Sequence, residues 1–592
     1  MCGIFGYIGE EDPLENCLAG LEQLEYRGYD STGIAGIAKG KIALCKETGK
    51  LSKLKEKLTL SGLEVAIGHT RWATHGKVTH SNAHPHLDAQ ETIALVHNGI
   101  IENYASLKKQ LQGEGVIFLS ETDTEVIAQL ISRHYAGDLV AAVQKALSLL
   151  KGHFAIALIH KDHPDQIVAA ARESPLSIGI DEKCTEVMIS SDPNAFLGRT
   201  LNVLFLRNGE IAKVQKGKIE IFDSEKRPLD KKTERLDGSY TAPSKEGFEH
   251  FMLKEIYEQP STIQKAILGR FEEGQVQFEE LPKGLKKAPA VCFVGCGTSA
   301  HAGAIGALFL EEFAHIPAHA EIASEVRYRI FPRNTLIVAI SQSGETADTI
   351  AAVREIKGRG FKVLGLCNVK NSTLTREVDA SLFLKAGPEM SVCSTKAFTS
   401  QIAVLYLFAL YMAQSGSIDE LQKIPSQLQQ VFEQVPLIQK ISQKYSRYED
   451  FFFMGRRYML PTCMEAALKL KEISYVNANG YPAGELKHGP IALIDPHFPV
   501  IAFCANRQTE EKILNNLQEV KARGAPILAL APDHLKAISQ IADDVIWLPS
   551  ASDALSPFAS TVAGQLLAYH IAKERGCEID QPRNLAKSVT VE

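Results

Sequence analysis

The second half of the chain alternates short apolar runs with helical stretches, and this rhythm constrains the fold more than any other feature. Residues 290–295 and 336–340 are predicted strands, and each is followed by a turn and a helical pattern. Strands that alternate with helices in this way form parallel sheets with helical crossovers. The same alternation begins again near residue 451. We therefore predict a duplicated α/β unit with a long period.

The first 220 residues follow a different pattern, in which strands cluster together. Strands are predicted at 34–38, 41–46, 65–72, 93–100, 154–160 and 166–171, and helices at 13–24, 124–135 and 139–150. Clustered strands with few helices are typical of an α+β domain. The charged stretch 223–249, interrupted by proline and glycine, predicts an interdomain linker, and the last residues predict an extended tail.

Length and composition exclude several classes of protein. A chain of 592 residues suggests about four folding units, and a net charge of −6 offers no basic excess for nucleic-acid binding. The longest apolar run, Ile402–Ala413, is shorter than the roughly 20 residues that span a bilayer. No secretory signal is visible. The eleven scattered cysteines, without a Cys-x-x-Cys pair, predict a reducing cytoplasmic location rather than disulfides or structural zinc.

Cys2 is the first candidate for catalysis. Removal of the initiator Met leaves Cys2 with both a thiol and a free α-amino group. An α-amine has an ordinary pKa of about 7.7–8.0, so it can take the thiol proton, as an N-terminal nucleophile requires. The alternative is a buried structural cysteine, and Cys2 by itself leaves both interpretations open.

Residues that follow two predicted strands can complete such a site. Arg71 can hold a carboxylate through two parallel hydrogen bonds, and the neighbouring Trp72 can exclude water. Asn98 and Gly99 can form an oxyanion hole from an amide and an open backbone N–H. Asp123 begins a predicted helix, where it either caps free N–H groups or receives a substrate ammonium.

Four histidines lie close together after Arg71, at positions 75, 80, 84 and 86. Histidine zinc sites usually include further ligands at set intervals. No cysteine or acid stands at such an interval here. We therefore predict polar loop histidines rather than a metal site.

Two strand-to-helix turns of the first α/β unit carry small hydroxyl residues. They are Gly297-Thr298-Ser299 and the segment SQSGET that begins at Ser341. Hydroxyls and free N–H groups at a helix N-terminus suit a phosphate group. Neither turn has the Gly-Lys-Ser/Thr of a P-loop, and neither completes a dinucleotide fingerprint. Ordinary capping is the alternative for each turn alone, but two such turns favour a phosphate site.

Three charged residues of the second α/β unit share one face of a predicted helix. Glu465, Lys469 and Glu472 have the spacing i, i+4, i+7. A solvated stripe of ion pairs is the ordinary interpretation, and a proton-transfer face is the alternative. His488 is the next acid or base candidate. Lys587 is either a solvated surface lysine or, if buried, an amine nucleophile.

The order of these segments resembles one known family, the isomerizing glutamine–fructose-6-phosphate aminotransferases, over essentially the full length. The matching segments of the first part are CGIFGYIG, YRGYDSTG, HTRWATHG, NAHPH, HNGIIEN and SETDTEVIAQL. Those of the second part are CGTS, SQSGETADT, STKAFTSQ, EAALKLKEISY, GELKHGP and DQPRNLAKSVTVE.

The resemblance implies a fold and a domain order. An α+β glutaminase domain of the N-terminal-nucleophile type, a four-layer αββα sandwich, precedes two sugar-isomerase (SIS) subdomains, which are α/β folds with doubly wound parallel sheets. The implied bounds are 2–222, a linker at 223–249, 250–430, 431–578, and a tail at 579–592 that completes the sugar site.

The resemblance also implies an activity. Glutamine and fructose 6-phosphate become glutamate and glucosamine 6-phosphate, the first step of hexosamine biosynthesis. The enzyme implied is a cytoplasmic homodimer that needs no cofactor or metal and binds neither nucleic acid nor membrane.

Roles in the glutamine half follow from the same resemblance. Cys2 attacks the glutamine amide with its α-amine as base, Asn98 and Gly99 stabilise the oxyanion, and a thioester forms as ammonia leaves. The implied glutamine-binding residues are Arg71, Trp72, Thr74, His75, His84 and Asp123. Trp72 is the implied gate of an ammonia channel, with Arg27 and Tyr29 in its lid.

Roles in the sugar half are implied likewise. Lys587 forms a Schiff base at C2, Glu472 moves a proton between C1 and C2 beside Lys469, and His488 of the neighbouring subunit opens the ring. The implied sugar-phosphate residues are Thr298, Ser299, Ser341, Gln342, Ser343, Thr346 and Ser394.

Three other functions compete with this one. A purine-pathway amidotransferase with an N-terminal cysteine would need an acidic pyrophosphate motif where this chain has SQSGET. A sugar-phosphate-binding regulator built on SIS domains predicts loss of the acid, base and amine, yet Glu472, His488 and Lys587 are present. A deglycating isomerase would lack the glutaminase half.

Overall fold

The computed structural model describes residues 2–236, 244–282, 285 and 288–590. The described chain forms two compact units. Unit 1 holds the residues up to 236 together with 588–590, and unit 2 holds those from 244 to 587.

Unit 1 contains two antiparallel sheets. Its strands are β1 (Gly3–Ile8), β2 (Ser31–Ala38), β3 (Lys41–Thr48), β4 (Val65–Arg71), β5 (His86–Leu87), β6 (Ile93–Ile101), β7 (Gly152–His160), β8 (His163–Arg172), β9 (Ser177–Ile180), β10 (Val187–Ser190), β11 (Asn202–Phe205), β12 (Glu210–Gln215), β13 (Lys218–Phe222), β14 (Pro228–Leu229) and β15 (Glu234–Arg235). Its helices are α1 (Pro13–Leu24), α2 (Leu51–Lys57), α3 (Tyr104–Gly113), α4 (Thr124–His134) and α5 (Leu139–Leu149). The strand orders are β15-β11-β9-β10-β1-β4-β2-β3 and β14-β13-β12-β8-β7-β6-β5.

The two sheets pack face to face with helices outside them. Ile4 of β1 and Val96 of β6 belong to one buried cluster between the sheets. Phe5, the next residue of β1, points the other way and packs with α1, because successive side chains of a strand alternate between its faces. Helices α4 and α5 cover the outer face of β6 and β7. The predicted αββα sandwich is confirmed.

The predicted linker contains two short strands that its charged sequence did not indicate. Strand β14 pairs with β13, and β15 pairs with β11. Leu229 and Leu236 pack against the clusters of unit 1, so two apolar anchors fix an otherwise charged segment. Residues 237–243 of the predicted linker lie outside the described residues.

Unit 2 contains two parallel sheets and a short hairpin. Its strands are β16 (Phe271–Glu272), β17 (Gln275–Val276), β18 (Val291–Gly295), β19 (Ala318–Ile322), β20 (Leu336–Ser341), β21 (Val363–Cys367), β22 (Ala380–Phe383), β23 (Asp450–Gly455), β24 (Asn477–Pro482), β25 (Val500–Phe503), β26 (Ile527–Pro532) and β27 (Asp544–Leu548). Its helices are α6 (Phe251–Tyr257), α7 (Gln259–Ile267), α8 (Thr298–Phe309), α9 (Ala323–Val326), α10 (Ala347–Gly358), α11 (Thr373–Glu377), α12 (Lys396–Ala413), α13 (Asp419–Glu433), α14 (Val435–Tyr445), α15 (Met459–Ser474), α16 (Glu510–Lys521) and α17 (Ser556–Glu574).

The two parallel sheets repeat one topology. Their strand orders are β19-β18-β20-β21-β22 and β24-β23-β25-β26-β27, which confirms the duplicated α/β unit. In such sheets a crevice forms at the carboxyl ends of the strands where the order reverses. That point lies between β18 and β20 in the first copy, the two strands whose ends carry the predicted phosphate turns.

One hydrophobic cluster joins the two copies of the sheet. It contains residues of α8 and α12 from the first copy and of α15 and α17 from the second. Helix α12 is long and apolar enough to span a bilayer by length and composition, but 89% of it is buried inside unit 2. It is therefore a core helix of this cluster.

Candidate active sites

The candidate site of unit 1 surrounds Cys2, which stands just before β1. The backbone N–H of Trp72, directly after β4, donates a hydrogen bond to Cys2 Sγ at 3.3 Å. Asn98 Nδ2, on β6, donates to the Cys2 carbonyl at 3.0 Å. Burial raises the pKa of the Cys2 thiol, and the positively charged amine at the chain start opposes that rise. The strand pairing thus brings the predicted nucleophile and oxyanion donor together.

A cavity of about 410 Å³ opens beside Cys2. All nine predicted nucleophile, oxyanion and glutamine-binding residues line it: Cys2, Arg71, Trp72, Thr74, His75, His84, Asn98, Gly99 and Asp123. His97, Thr122, Thr124 and Thr590 complete its described wall. The structure therefore gathers into one cavity residues that are spread over the first 123 positions of the sequence.

Glycine is required at position 99. Gly99 has φ +129°, and a Cβ there would lie 2.1 Å from the carbonyl oxygen of His153 on β7. An L side chain rarely adopts that backbone conformation and would meet the neighbouring strand. Gly99 lines the same cavity as Cys2, which agrees with its predicted role as an oxyanion donor.

His69 orients the Asn98 amide, and sequence reasoning missed it. His69 Nε2 lies 3.0 Å from Asn98 Oδ1 and 3.0 Å from the His97 carbonyl oxygen. Since both neighbours accept, Nε2 carries the proton, and the amide nitrogen of Asn98 then faces Cys2. Burial lowers the pKa of His69 to about 3, so the ring is neutral. His69 could have been found from the sequence, because it is the first residue of the motif HTRWATHG.

The capping interpretation of Asp123 is wrong. The carboxylate makes no cap bond with α4, and instead Oδ2 accepts the backbone N–H of Ile101 at 2.8 Å. Its position in the cavity wall agrees with the alternative, a carboxylate that faces substrate.

Arg71 contacts the loop that follows it. Its Nη2 donates to the carbonyl oxygens of His75 at 2.5 Å and Gly76 at 3.2 Å. These bonds hold the loop that presents Thr74 and His75 to the cavity. Burial lowers the pKa of Arg71, and the charges of Cys2, Asp30 and Asp123 oppose this.

Arg27 and Tyr29, the predicted lid residues, are buried rather than in the described cavity wall. Arg27 Nη1 forms an ion pair with Asp192 Oδ2 at 3.0 Å and donates to the Ser191 carbonyl. Their loop contacts the loop after β4 through Asp30, whose Oδ2 accepts the Ala73 N–H at 2.8 Å.

Two of the predicted loop histidines are core residues. His84 and His86 are buried, and burial holds the pKa of each well below its usual value. The His84 ring stacks on His69 with centroids 4.1 Å apart. The loop interpretation is therefore wrong for His86, the first residue of β5, whereas His84 lies in the loop before β5 and His80 is exposed. Within the described ranges, no group of three or more His, Cys, Asp or Glu is arranged to hold a metal ion.

The candidate site of unit 2 lies at the carboxyl ends of β18 and β20. Ser341 Oγ lies 3.2 Å from Thr346 Oγ1 and accepts the Gly344 N–H at 3.0 Å. Ser343 Oγ accepts the Glu345 N–H at 3.1 Å, and Gln342 is half-buried between them. The hydroxyls of Ser341 and Thr346 thus lie side by side at the start of α10.

The turn after β18 contacts α15 and α12. Thr298 Oγ1 donates to Glu465 Oε1 at 3.0 Å and accepts from Lys469 Nζ at 2.9 Å. Ser299 Oγ accepts from Gln401 Nε2 of α12 at 3.1 Å. Thr298 thus joins the first copy of the α/β unit to charged residues of the second copy.

The charged face of α15 is buried, so the solvated-stripe interpretation is wrong. Glu465 and Lys469 are each 1% exposed in their side chains. Lys469 Nζ lies 3.2 Å from Glu465 Oε1 and 2.9 Å from Glu472 Oε2, and Glu465 Oε2 contacts His301 Nδ1 at 2.7 Å. Burial would raise the pKa of Glu465, but the Lys469 charge and the His301 bond outweigh it and hold that pKa below its usual value.

Lys587 is also buried, so the surface-lysine interpretation is wrong. Its side chain is 4% exposed, and Nζ lies 2.5 Å from Glu389 Oε2. The same oxygen accepts from Ser394 Oγ at 3.0 Å. Glu255 supports this segment by accepting the N–H groups of Met390 and Ser391. Sequence reasoning missed Glu389 and Glu255. Glu389 could have been found because it lies close to the STK motif, but nothing in the sequence pointed to Glu255.

His488 stands apart from these groups. It is exposed at the end of the turn Ala483–His488, and no hydrogen bond or ion pair to it is found in the described parts of the chain. The contacts described above form three groups, around Glu389, Thr298 and Ser341, and His488 belongs to none of them.

Comparison with known proteins assigns both halves of the chain to known families. The sequence matches a glutamine amidotransferase domain over 69–198 and an SIS domain over 284–411 and again over 445–574. It is 45% identical over 608 aligned residues to a protein of Thermus thermophilus and 44% identical over 610 to one of Chlamydia trachomatis. Both are named glutamine–fructose-6-phosphate aminotransferase [isomerizing], and each alignment covers 100% of both chains.

A solved structure matches the second half. The C-terminal domain of glucosamine-fructose-6-phosphate aminotransferase from Francisella tularensis superposes with a TM-score of 0.55 at 39% identity. The match covers 57% of this chain and 100% of that one.

Proposed function

The chain belongs to the family of isomerizing glutamine–fructose-6-phosphate aminotransferases, and from that premise we propose how its residues perform the reaction. It converts glutamine and fructose 6-phosphate to glutamate and glucosamine 6-phosphate. The observation that carries our assignment of roles is the burial of the Lys587 amine, since a desolvated lysine is an activated nucleophile that can form a Schiff base.

The glutamine half-reaction takes place in the cavity of unit 1. After removal of Met1, the α-amine of Cys2 takes the thiol proton, and the thiolate attacks the glutamine amide carbon. The Asn98 amide and the Gly99 N–H stabilise the oxyanion. The α-ammonium of Cys2 returns the proton to the amide nitrogen, and collapse of this intermediate releases ammonia and leaves a glutamyl thioester, which water hydrolyses to glutamate.

Opposite charges in the cavity wall orient glutamine. We assign the α-carboxylate to Arg71 and the α-ammonium to Asp123, both of which line the cavity. Thr74, His75 and His84 form the surrounding wall. Trp72 gates the exit of ammonia, and the buried Arg27 and Tyr29 act through the loop that holds Asp30 against Ala73.

The sugar phosphate binds at the carboxyl ends of β18 and β20. Ser341, Gln342, Ser343 and Thr346 surround the phosphate at the N-terminus of α10. Two further assigned residues, Thr298 and Ser299, form the other wall, and Ser394 contacts the sugar. The adjacent hydroxyls of Ser341 and Thr346 support this assignment.

Lys587 then activates the sugar. Glu389 accepts a proton from the ammonium, and the free amine adds to C2 and expels water to form an iminium. Ammonia displaces the lysine, Glu472 carries a proton from C1 to C2, and Lys469 stabilises the Glu472 carboxylate at 2.9 Å. The C2 iminium, formed first with the lysine and then with ammonia, supplies the electron sink.

We propose a homodimer in the cytoplasm. His488 of a second copy opens the sugar ring, which its exposure on its own copy supports. All eleven cysteines are unpaired, as a reducing compartment requires. The matched spans 69–198, 284–411 and 445–574 support the predicted domains at 2–222, 250–430 and 431–578.

Two measurements test the proposal. Purified full-length chain is given glutamine with and without fructose 6-phosphate, and glutamate and glucosamine 6-phosphate are quantified. We expect equal amounts of the two products, with faster glutamate release when the sugar is present. Glutamate without amino sugar would contradict the sugar half.

The second measurement traps the amine. Borohydride added with fructose 6-phosphate should label the tryptic peptide that contains Lys587, and Lys587→Arg should lose the label. A label on another lysine would overturn the Schiff-base assignment.

A further inference from the structure

Cys393 is a buried thiol in the sugar site that has no part in the chemistry above. It lies between β22 and α12 and is fully buried. Its Sγ donates a hydrogen bond to Glu472 Oε2 at 3.0 Å. Glu472 is the residue assigned to carry the proton between C1 and C2.

Two donors hold the same oxygen of Glu472. Lys469 Nζ lies 2.9 Å from Oε2, the oxygen that also accepts from Cys393. In the part of the chain that the structure describes, no hydrogen bond is found for Oε1. The Glu472 side chain is 21% exposed while that of Lys469 is 1% exposed. One oxygen is thus fixed inside the protein, and the other is available to substrate.

The thiol acts as a donor in this contact. Burial raises the pKa of the Cys393 thiol well above its usual value; the Lys469 charge opposes this rise, and the negative charges of Glu472 and Glu465 add to it. The sulfur therefore keeps its proton. A thiol is a weak donor, but a bond to an ionised acceptor in a buried site is stronger than one between neutral groups.

We propose that Cys393 is a positioning residue that, together with Lys469, fixes Glu472 Oε2 and leaves Oε1 as the oxygen that carries the proton. This inference rests on the proposed role of Glu472. A carboxylate held at one oxygen cannot rotate to exchange its two oxygens, so the same atom faces C1 and then C2.

The proton transfer balances with Oε1 as the only carrier. Oε1 takes a proton from C1 of the C2 iminium, and the C–H electron pair forms the C1=C2 bond as the iminium becomes an amine. Oε1–H then returns that proton to C2. The C1 hydroxyl becomes the aldehyde carbonyl, and its proton passes to the amine. No oxidant or cofactor enters.

The test compares three cysteine variants of the full chain. Cys393→Ala should lower kcat for amino-sugar formation by about 10- to 30-fold, the loss expected for one donor to an ionised group. KM for fructose 6-phosphate should change less than about twofold, because the thiol does not contact the phosphate turn. Cys393→Ser keeps a donor and should restore most of kcat.

Cys463→Ala is the matched control. Cys463 is another fully buried cysteine on α15, and its Sγ donates to the Leu460 carbonyl rather than to Glu472. A loss of packing would slow both alanine variants, whereas loss of positioning slows only Cys393→Ala. With sugar deuterated at C1, the isotope effect on kcat should grow in Cys393→Ala, because proton transfer becomes rate-limiting.

Failure of the inference is distinguishable from failure of the proposed function. If Glu472→Gln still forms amino sugar at the native rate, the role of Glu472 is wrong and the inference falls with it. If Glu472→Gln is inactive but Cys393→Ala keeps the native kcat and isotope effect, the positioning role alone is overturned. Equal losses in Cys393→Ser and Cys393→Ala would overturn it too.

Discussion

The histidines behind Asn98 in unit 1 and the charged face of α15 in unit 2 are both buried, yet they meet the cost of burial in opposite ways. In unit 1, burial lowers the pKa of His69 to about 3 and that of His97 to about 4, so both rings are neutral. In unit 2, burial lowers the pKa of Lys469, but its neighbours Cys393, Glu465 and Glu472 raise that pKa well above the usual value, so Lys469 remains charged.

This difference matches the chemistry assigned to each site. A thiolate attack on an amide needs donors aimed at one developing oxyanion, and neutral rings fix such donors without adding charge. Moving a proton along a sugar needs groups that exchange protons, and these are charged. Buried charges remain stable only when each has a partner with good geometry.

Cys2→Ala should give the largest effect and shows whether the two sites can be separated. Without its nucleophile, the chain should release glutamate at least about a thousandfold more slowly. Interconversion of the sugar phosphates, which depends on unit 2, should stay within about threefold. The control is Cys17→Ala, a fully buried cysteine of α1. Native glutamate release by Cys2→Ala would refute the nucleophile assignment.

Glu465→Leu tests the charged side of the comparison. It leaves the buried Lys469 with one partner fewer, so the free energy of unfolding should fall by about 3–5 kcal/mol. Lys573→Met removes one partner of the exposed pair that Lys573 Nζ forms with Glu249 at 2.5 Å, and should cost less than about 1 kcal/mol. Urea denaturation of both variants measures the difference. Equal losses would show that burial of the ion pair is not what matters.

His69→Phe tests the neutral side. The ring stack can persist, but the donor to Asn98 is lost, and glutaminase kcat should fall by about 30-fold, less than for loss of an oxyanion donor itself. His69→Gln retains a donor and should recover part of the rate. His160→Phe, a buried histidine of β7, serves as the control in the same glutamate assay. A native rate in His69→Phe would remove His69 from the site.

Per titrating group and per pH unit, the pH dependence of stability should be the smallest effect, and its sign should differ between the units. The folded pKa values of His69 and His97 lie below the ordinary 6.5. As pH falls, these histidines therefore take up protons in the unfolded chain before they do so in the folded chain. Each histidine should lower the free energy of unfolding of unit 1 by about 1 kcal/mol between pH 6 and pH 5. Burial raises the pKa of Glu255 to about 8. Its contribution is therefore complete below about pH 4.5 and is lost as pH rises toward 8.

Calorimetry of the full chain at several pH values measures both slopes. The Glu255→Gln variant should remove the loss at rising pH, and His97→Phe should weaken the loss at falling pH. Slopes unchanged in both variants would contradict the assignment of these groups.

Local pattern predicted the secondary structure well. Helix α1 lies at the predicted residues and strand β20 differs from its prediction by one residue, because the apolar period of each is complete within the element itself. The edge strands β19 and β24 were missed: AHAEI and NANGYP are polar and partly exposed, so they lack the apolar run that marks a central strand.

The candidate sites were predictable only in part, for a different reason. The order of motifs identified Cys2, Asn98, Glu472 and Lys587, but spacing on a helix is the same on a buried and an exposed face, so the burial of Glu465 and Lys469 could not be predicted. The contact between Glu389 and Lys587 joins positions 198 residues apart. A repeating pattern within one helix or strand cannot indicate a contact between residues so far apart in the sequence.

The contact of α15 with the turn after β18 has an evolutionary consequence. Thr298 and His301 belong to the first copy of the repeated sheet, and Glu465 and Lys469 belong to the second. Each copy therefore holds residues that the other lacks, and deletion of either would leave a single incomplete site. Duplication first gives two equivalent repeats, but here neither repeat forms a complete site alone. The two repeats can still diverge in sequence, but the protein needs both.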